Sequence, residues 1–191
     1  MQHETHPWKP FLPEGTQILI LGSFPPPRNR WCMDFYYPNF QNDFWRILGL
    51  VFFGEKDYFV CGGAEKKFDL PKIEAFLTRE KIGLYDTVFK ACRLKQNASD
   101  AFLEVVTPVD IPELLRKIPE CHTLASTGEK ATEMILKFFN AKKPAVGGSS
   151  EFSLDGRTIR FARLPSSSRA YPLPVKEKAE MYARVMRDES L

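Results

Sequence analysis

Apolar and polar positions along the chain follow two different periods, and the period changes at proline, glycine and asparagine punctuation. QILILG at 17–22 is a short, continuous apolar run, the pattern of a strand buried on both faces. NDFWRILGLVF at 42–52 switches to helical spacing, with Phe44, Ile47, Leu48 and Val51 on one side. PKIEAFLTREK at 71–81 repeats that spacing with Ile73, Phe76 and Leu77 behind a first-turn proline, and leads into a second strand, IGLYDTV at 82–88. DIPELLRKI at 110–118 predicts a helix capped by Asp110. HTLAST at 122–127 predicts a third strand, followed by the helix GEKATEMILKFF at 128–139 with Ala131, Ile135 and Phe138 in register. EFSLDGRTIRFARLP at 151–165 reads as a hairpin about Asp155-Gly156. VKEKAEMYARVMR at 175–187 predicts a closing amphipathic helix with Val175, Ala179, Tyr182 and Met186 inward.

Strands alternating with helices predict one α/β domain over 1–191, a sandwich built around a mostly parallel sheet. PWKPFLPEG at 7–15 reads as part of an extended N-terminal arm, 1–15, with Trp8 and Phe11 as packing anchors, and NAKKPAVGGSSE at 140–151 as a flexible loop. Ligands of such sheets sit beyond the carboxyl ends of the strands. Three loops therefore matter most: SFPPPRNRW through NFQN after Gly22, DTVFKAC after Tyr85, and LPSSSRAYPLP after Arg163.

Composition narrows the chemistry. The 191 residues are 43% hydrophobic, 13% aromatic and 27% charged, enough for a core. A net charge of +3 is compatible with a polyanionic partner but falls short of a strongly basic binder. No apolar run is long enough to span a bilayer and no leader opens the chain, so the expected compartment is the cytoplasm, without membrane attachment. Cys32, Cys61, Cys92 and Cys121 form no CxxC pair and are expected as reduced, mostly buried thiols. None of the three histidines falls in the three loops: His3 and His6 are expected in a loose terminus, and His122 lies at a strand start. That disfavours nucleophilic hydrolysis through a histidine base. Phosphate-loop, dinucleotide and metal-ligand motifs are missing too, so neither cofactor nor metal is expected. Rings, amides, one carboxylate and a serine-rich turn suit a flat, hydrogen-bonding ligand such as a nucleobase.

LILGSFPP followed by FYYPNFQNDFWRIL resembles the first motif of the uracil-DNA glycosylase superfamily, in particular its hypoxanthine (deoxyinosine) branch with GS-x-PG and YYAHPRN-x-FW. KIGLYDTVFKACRLKQNASDAFL at 81–103 is similar to that branch's IGLWDV-x-x-SC segment, and LPSSSRAY at 164–171 to LPSTSPAN, the counterpart of the DNA-intercalating loop. The three motifs occur in order from about Pro10 to the last helix. The resemblance implies a three-layer α/β/α sandwich around a four-stranded, mostly parallel sheet. It also implies hydrolysis of the N-glycosidic bond of a deaminated base flipped out of DNA, in base excision repair, by a monofunctional glycosylase. Position by position it implies Tyr37 as the ring that stacks on the base, Asn42 as the catalytic residue and Asp86 as the group facing the base edge. Pro165, Ser166, Ser167, Ser168 and Arg169 become DNA contacts. The expected partner is DNA containing hypoxanthine or uracil, the expected state a monomer.

These roles have an independent physical basis. Fixed dipoles in a dry pocket stabilise the charges that develop as the glycosidic bond breaks. An asparagine can orient a water with its carbonyl or donate to the base with its amide. Asp86 accepts from a ring N–H and repels an unprotonated ring nitrogen. The backbone N–H groups of Ser23 and Phe24 are placed to bind a base carbonyl, whereas Pro25, Pro26 and Pro27 have none to offer. Simpler roles stand beside these: Asn42 as a helix cap, Tyr36 and Tyr37 as core rings, Asp86 as a structural acceptor, the serines as a plain turn and Arg169 as a solvated charge. Arg28, Arg30 and Lys90 are candidate phosphate contacts. The chain departs from the branch at Pro27, at Asn39, Phe40 and Gln41, and at Arg169 and Tyr171. The departures at Pro27 and at 39–41 motivate one alternative, a catalytically inactive nucleic-acid or nucleotide-binding module; an enzyme acting on free nucleosides or nucleotides is a further one. A basic, open rim favours DNA; a closed pocket favours the last.

Overall fold

The computed structural model describes residues 3–94 and 103–187. The final part of the 81–103 motif, from 95 to 102, lies outside the described residues. In chain order the elements are β1 (His3–Thr5), β2 (Ile18–Gly22), a short 3-10 turn (Arg28–Arg30), α1 (Phe44–Phe53), α2 (Leu70–Arg79), β3 (Ile82–Asp86), β4 (Val88–Arg93), β5 (Leu103–Pro108), α3 (Ile111–Arg116), β6 (Thr123–Thr127), α4 (Glu129–Leu136), β7 (Ser149–Leu154), β8 (Arg157–Leu164) and α5 (Val175–Met186). None of the helices in the described residues is long and apolar enough to cross a membrane.

The main sheet has the order β3-β2-β6-β8-β7. Its first four strands run parallel, and β7 joins antiparallel to β8 through the Asp155-Gly156 turn. Both turn residues have positive φ, 51° and 81°, which Asp and Gly tolerate in a tight hairpin. The expected sheet of four strands is thus a mixed sheet of five. Every residue of β2, β3 and β6 is buried, which is why these strands read as continuous runs without alternation. From β2 the chain moves to β3 on one side, then back past β2 to β6 and β8. The right-handed rule for crossovers between parallel strands places α1 and α2 on one face and α3 and α4 on the other, while α2 packs on β3, α4 on β6, and α5 on α1 and β8. The layers enclose one large core around Trp45, Tyr36, Tyr182 and Phe44.

A second sheet, β1-β4-β5, is antiparallel throughout and was not expected. IGLYDTV is not a single strand. After Asp86 the chain bends: the N–H groups of Thr87 and Val88 donate to Gly22 and Ser23 carbonyls at the end of β2 (2.9 and 3.2 Å), and the residues expected as a loop continue as β4. The N-terminal arm is correspondingly more than a packed tail. Its first residues pair along β4, and Phe11 exchanges two backbone hydrogen bonds with Leu84 on the outer side of β3. The arm thereby covers two strand edges that would otherwise be left open.

Two helices stop earlier than their periodicity suggests, α3 at Arg116 and α4 at Leu136, so Phe138 stands partly exposed and Phe139 is buried in its place. The 140–151 segment is tied down by backbone bonds between Gly147, Gly148 and Arg163 and by a bond from Arg163 to the Pro144 carbonyl. The four thiols are free, with Cys92 and Cys121 buried and the other two half-buried. Burial pushes the Cys121 thiol up to about 11.

Candidate functional site

Connections leave β2 and its neighbour β6 toward opposite faces, and a crevice opens where they diverge, beyond the carboxyl ends of the parallel strands. Register brings Gly22 opposite Asp86, and Leu21 opposite Ser126 with Thr127 next in line. A cleft of about 630 Å³ stands on this floor. It is lined by Ser23, Phe24, Tyr37, Asn42, Asp86, Ser166, Ser167 and Ser168, and also by Trp8, Arg30, Asn39 and Thr127. Residues from all three sequence motifs therefore meet in one place.

Asp86 is 6% exposed and its position depends on the absence of a neighbouring side chain. A Cβ on Gly22 would lie 2.4 Å from Asp86 Oδ1 and 3.3 Å from the Tyr37 hydroxyl, so only glycine leaves room for the carboxylate here. Asp86 Oδ2 is bonded at 2.9 Å to Nε2 of His6. This overturns the expectation of a loose His6: the imidazole is buried and ringed by Trp8, Phe24, Tyr36 and Tyr85, with centroids 4.8 to 6.0 Å away. Its Nδ1 lies 2.9 Å from the Trp8 carbonyl and 3.2 Å from the Trp8 N–H. Both the imidazolium and the neutral tautomer protonated at Nε2 donate to Asp86. Burial, with a smaller contribution from the Asp86 charge, pushes the Tyr36 hydroxyl far above its ordinary range.

Tyr37 has φ 51°, a left-handed conformation that costs an aromatic residue about 1 kcal/mol or more. Packing and hydrogen bonding hold it there, with Trp45 edge-on at 6.5 Å. Its ring stacks on Phe44, the first residue of α1, at 3.6 Å and 10°, and its hydroxyl shares a 2.7 Å hydrogen bond with Thr127 Oγ1. Tyr36, by contrast, is a core ring whose hydroxyl donates to the Lys9 carbonyl.

Asn42 stands one position before Asp43, the N-cap of α1, and its Oδ1 accepts the Phe44 N–H at 2.9 Å in an Asx turn that leads into the helix. That bond also identifies the oxygen, because a backbone N–H cannot face an amide NH2. The Nδ2 donor has no partner among the described residues, and the residue lines the cleft. The turn before it is held by Arg46, whose buried guanidinium donates to the Phe40 and Asn42 carbonyls and lies over the Phe40 and Phe68 rings.

The serine loop is bonded to the same helix start. Asp43 N–H donates to the Ser167 carbonyl at 3.0 Å, and Lys178 of α5 donates to the Ser168 carbonyl at 2.7 Å. Burial holds the Lys178 ammonium below its ordinary range, opposed by Asp43. Ser166 and Ser168 side chains close two tight turns by accepting the Ser168 and Ala170 N–H groups. Pro165 is buried, its carbonyl accepts the Tyr182 hydroxyl, and it is not among the residues lining the cleft. Arg169 pairs with Asp43 at 3.0 Å, but its side chain is 50% exposed. A pair of that kind contributes about 0–1 kcal/mol, little enough to be exchanged for a phosphate.

The three prolines form a row of acceptors. Pro25, Pro26 and Pro27 carbonyls receive, respectively, the Arg93 guanidinium, the Trp31 indole N–H at 2.8 Å and the Arg30 N–H at 3.0 Å. Pro27 has φ −54° and ψ 145°, open to any residue, so the branch's glycine is not needed there. The Phe24 N–H, at the cleft, has no acceptor among the described residues. Arg30 borders the cleft, Arg28 covers the Trp31 ring, and Lys90 sits in β4 opposite Thr5, away from the cleft. Trp8 and Thr127 are among the cleft residues that sequence reasoning missed, and His6, which does not line the cleft, supports Asp86 from behind it; the anchoring of Trp8, two positions on, was the signal that His6 is not loose.

The chain is 34% identical over 122 residues to a hypoxanthine DNA glycosylase of Methanosarcina acetivorans, across 64% of this chain and 70% of that protein. A hypoxanthine DNA glycosylase of Methanosarcina barkeri is 28% identical over 178 residues, 93% of this chain and 95% of its relative. The solution NMR structure of a Methanosarcina acetivorans protein provisionally named a uracil DNA glycosylase superposes with a TM-score of 0.68 at 25% identity, covering 98% of both chains. No protein-family model matches the sequence.

Proposed function

This chain belongs to the hypoxanthine branch of the uracil-DNA glycosylase superfamily, and we propose from that premise that it excises a deaminated base, hypoxanthine or uracil or both, from DNA. The observation that carries the reading is the convergence of the Tyr37 ring, the Asn42 amide and the Asp86 carboxylate on one cleft at the carboxyl end of the parallel strands. In this reading the flipped base stacks on Tyr37, recovering roughly 1–3 kcal/mol of the few kcal/mol spent in unstacking it. Asp86 Oδ1 accepts the ring N–H that hypoxanthine and uracil carry and adenine lacks. The Phe24 N–H receives the base carbonyl. Asn42 then acts in one of two ways. Its Nδ2 donates to the departing base, or the second lone pair of Oδ1 orients the attacking water while the first stays on the helix. Either way a preorganised dipole meets charge that appears only in the transition state. Duplexes with a labelled strand carrying hypoxanthine, uracil or xanthine, treated with alkali after incubation, test it. Scission at hypoxanthine supports the reading, and intact strands alongside retained DNA binding favour an inactive module.

A DNA strand also needs a path out of the cleft. An adjoining depression of about 580 Å³ shares Arg30 and Asn39 with it and continues past Asn29, Phe40 and Gln41 to Lys66 and Arg169. Arg30 and Lys66 make no ion pair among the described residues, and no carboxylate lines the depression. This open, basic rim favours a polynucleotide over a free nucleoside. If Arg30 meets a phosphate, Arg30→Ala weakens binding alike across sequences and lowers the slope of log K against log salt by about one. An unchanged slope in a fluorescence-anisotropy salt titration removes Arg30 from the strand path.

A further inference from the structure

The base reading requires Asp86 to present one oxygen in a fixed direction, yet nothing on β3 enforces that. The terminal torsion of an aspartate is broad and roughly two-fold, so an isolated carboxylate on a cleft floor turns easily. What stops it here comes from the other end of the chain. His6 is joined to the second sheet by its N–H on the Phe89 carbonyl at 2.7 Å, directly after β1 pairs with β4. Its imidazole contacts Trp8 backbone at Nδ1 and Asp86 Oδ2 at Nε2, and rings close around it. The donor is immobile and the carboxylate is pinned through Oδ2. Oδ1 is thereby left against Gly22, and both residues line the cleft.

We propose that His6 is a positioning residue for base selection: by holding Oδ2 it fixes Oδ1 as the acceptor for the ring N–H of the flipped base. The N-terminal strand thus becomes part of the specificity apparatus although it never touches the base. The inference rests on the cleft being the base pocket. It separates a donor role for His6 from mere filling of space, because a filler has no reason to care whether the base carries an N–H.

The test is a chemical double-mutant cycle. Duplexes carry hypoxanthine or 1-deazahypoxanthine, which keeps the carbonyl but has a C–H at position 1, its ring proton residing on N3 on the opposite side of the ring. Wild type, His6→Ala and His6→Gln are compared in kcat/KM, with thermal melting to confirm that each is folded. Wild type loses on the order of tenfold to a hundredfold on the deaza base, the effect of leaving a buried polar group unpaired. His6→Ala is slower on hypoxanthine and nearly indifferent to the substitution, within about threefold. His6→Gln, whose amide keeps a donor near Oδ2, recovers most of the sensitivity. Equal deaza sensitivity in wild type and His6→Ala overturns the proposal whatever the absolute rates, and so does a wild type insensitive to the deaza base. The same ratios read as Kd on 2′-fluorinated duplexes, which resist cleavage, keep the two readings apart. Coupling in binding without cleavage of the ordinary duplex upholds the role of His6 and overturns only the catalytic reading.

Discussion

Asn42→Ala yields a folded protein that excises hypoxanthine roughly 10²- to 10³-fold more slowly than wild type, the scale expected for one preorganised dipole at a breaking bond. The substitution also removes a hydrogen bond at the entry to α1, because Asn42 Oδ1 accepts the Phe44 N–H. Losing one such bond costs about 1 kcal/mol, which in a chain of this length shifts Tm by roughly 2–4 °C. Such a loss cannot account for a hundredfold change in rate at a temperature where the protein stays folded. Asn42→Asp separates the two duties. A carboxylate keeps an acceptor for the Phe44 N–H and suits the positive end of a helix, so stability returns. The NH2 donor is gone, however. If Asn42→Asp remains as slow as Asn42→Ala, the amide acts by donation to the base. If it recovers, the acceptor oxygen and its water carry the step. Wild-type rates in both variants move catalysis elsewhere in the cleft. Single-turnover assays at saturating enzyme, with a melting curve for each variant, distinguish these outcomes.

Gly22→Ala has the second large effect, for a steric reason. The new Cβ would meet Asp86 Oδ1 at 2.4 Å and Cγ at 3.5 Å. The carboxylate cannot turn away without releasing His6. Gly22 also lies in a strand buried on both sides, between β3 and β6, so the backbone has little freedom to retreat. Overpacking of this kind costs typically 1–3 kcal/mol, more than the 0.4–1 kcal/mol gained by stiffening the unfolded chain. The expected net result is a Tm lower by several degrees. Because a displacement of about 1 Å at a reacting group can cost a factor of 10², excision falls by a similar factor. Gly22→Ala with wild-type excision means that Asp86 does not address the base edge.

The two predictions differ in how visible their causes are along the chain. Asn42 stands immediately before a helical pattern, so its role at the helix entry follows from local spacing, and its place among rings and amides already suggested a ligand. The Asp86-Thr87 boundary was less legible. IGLYDTV and the residues after it look like one strand and a loop, because periodicity records burial and does not record a change of sheet. The bend is made by Thr87 and Val88 bonding to the end of β2, and that partner lies more than sixty residues away in sequence. The loop from 165 to 172 was recognised as a turn by its serines and prolines. Its attachments, Asp43 to Ser167 and Lys178 to Ser168, join three separate segments. No residue in any one of them announces the others.

By itself the sequence determined the buried parallel strands, the amphipathic helices and the Asp-Gly hairpin. Each depends on a repeat of two or 3.6 residues, or on one turn dipeptide, and is therefore a property of neighbours along the chain. It also determined which loops carry rings, amides and a carboxylate, since a parallel sheet gathers its loops at one end. Tertiary structure alone decided the second sheet, the tying of Pro25, Pro26 and Pro27 by Arg93, Trp31 and Arg30, and the meeting of His6 with Asp86. These depend on unpaired strand edges and unsatisfied acceptors finding partners across the fold. An edge or an acceptor is a property of backbone position in space, and the side-chain pattern that reveals an element does not show where its open hydrogen bonds will be closed.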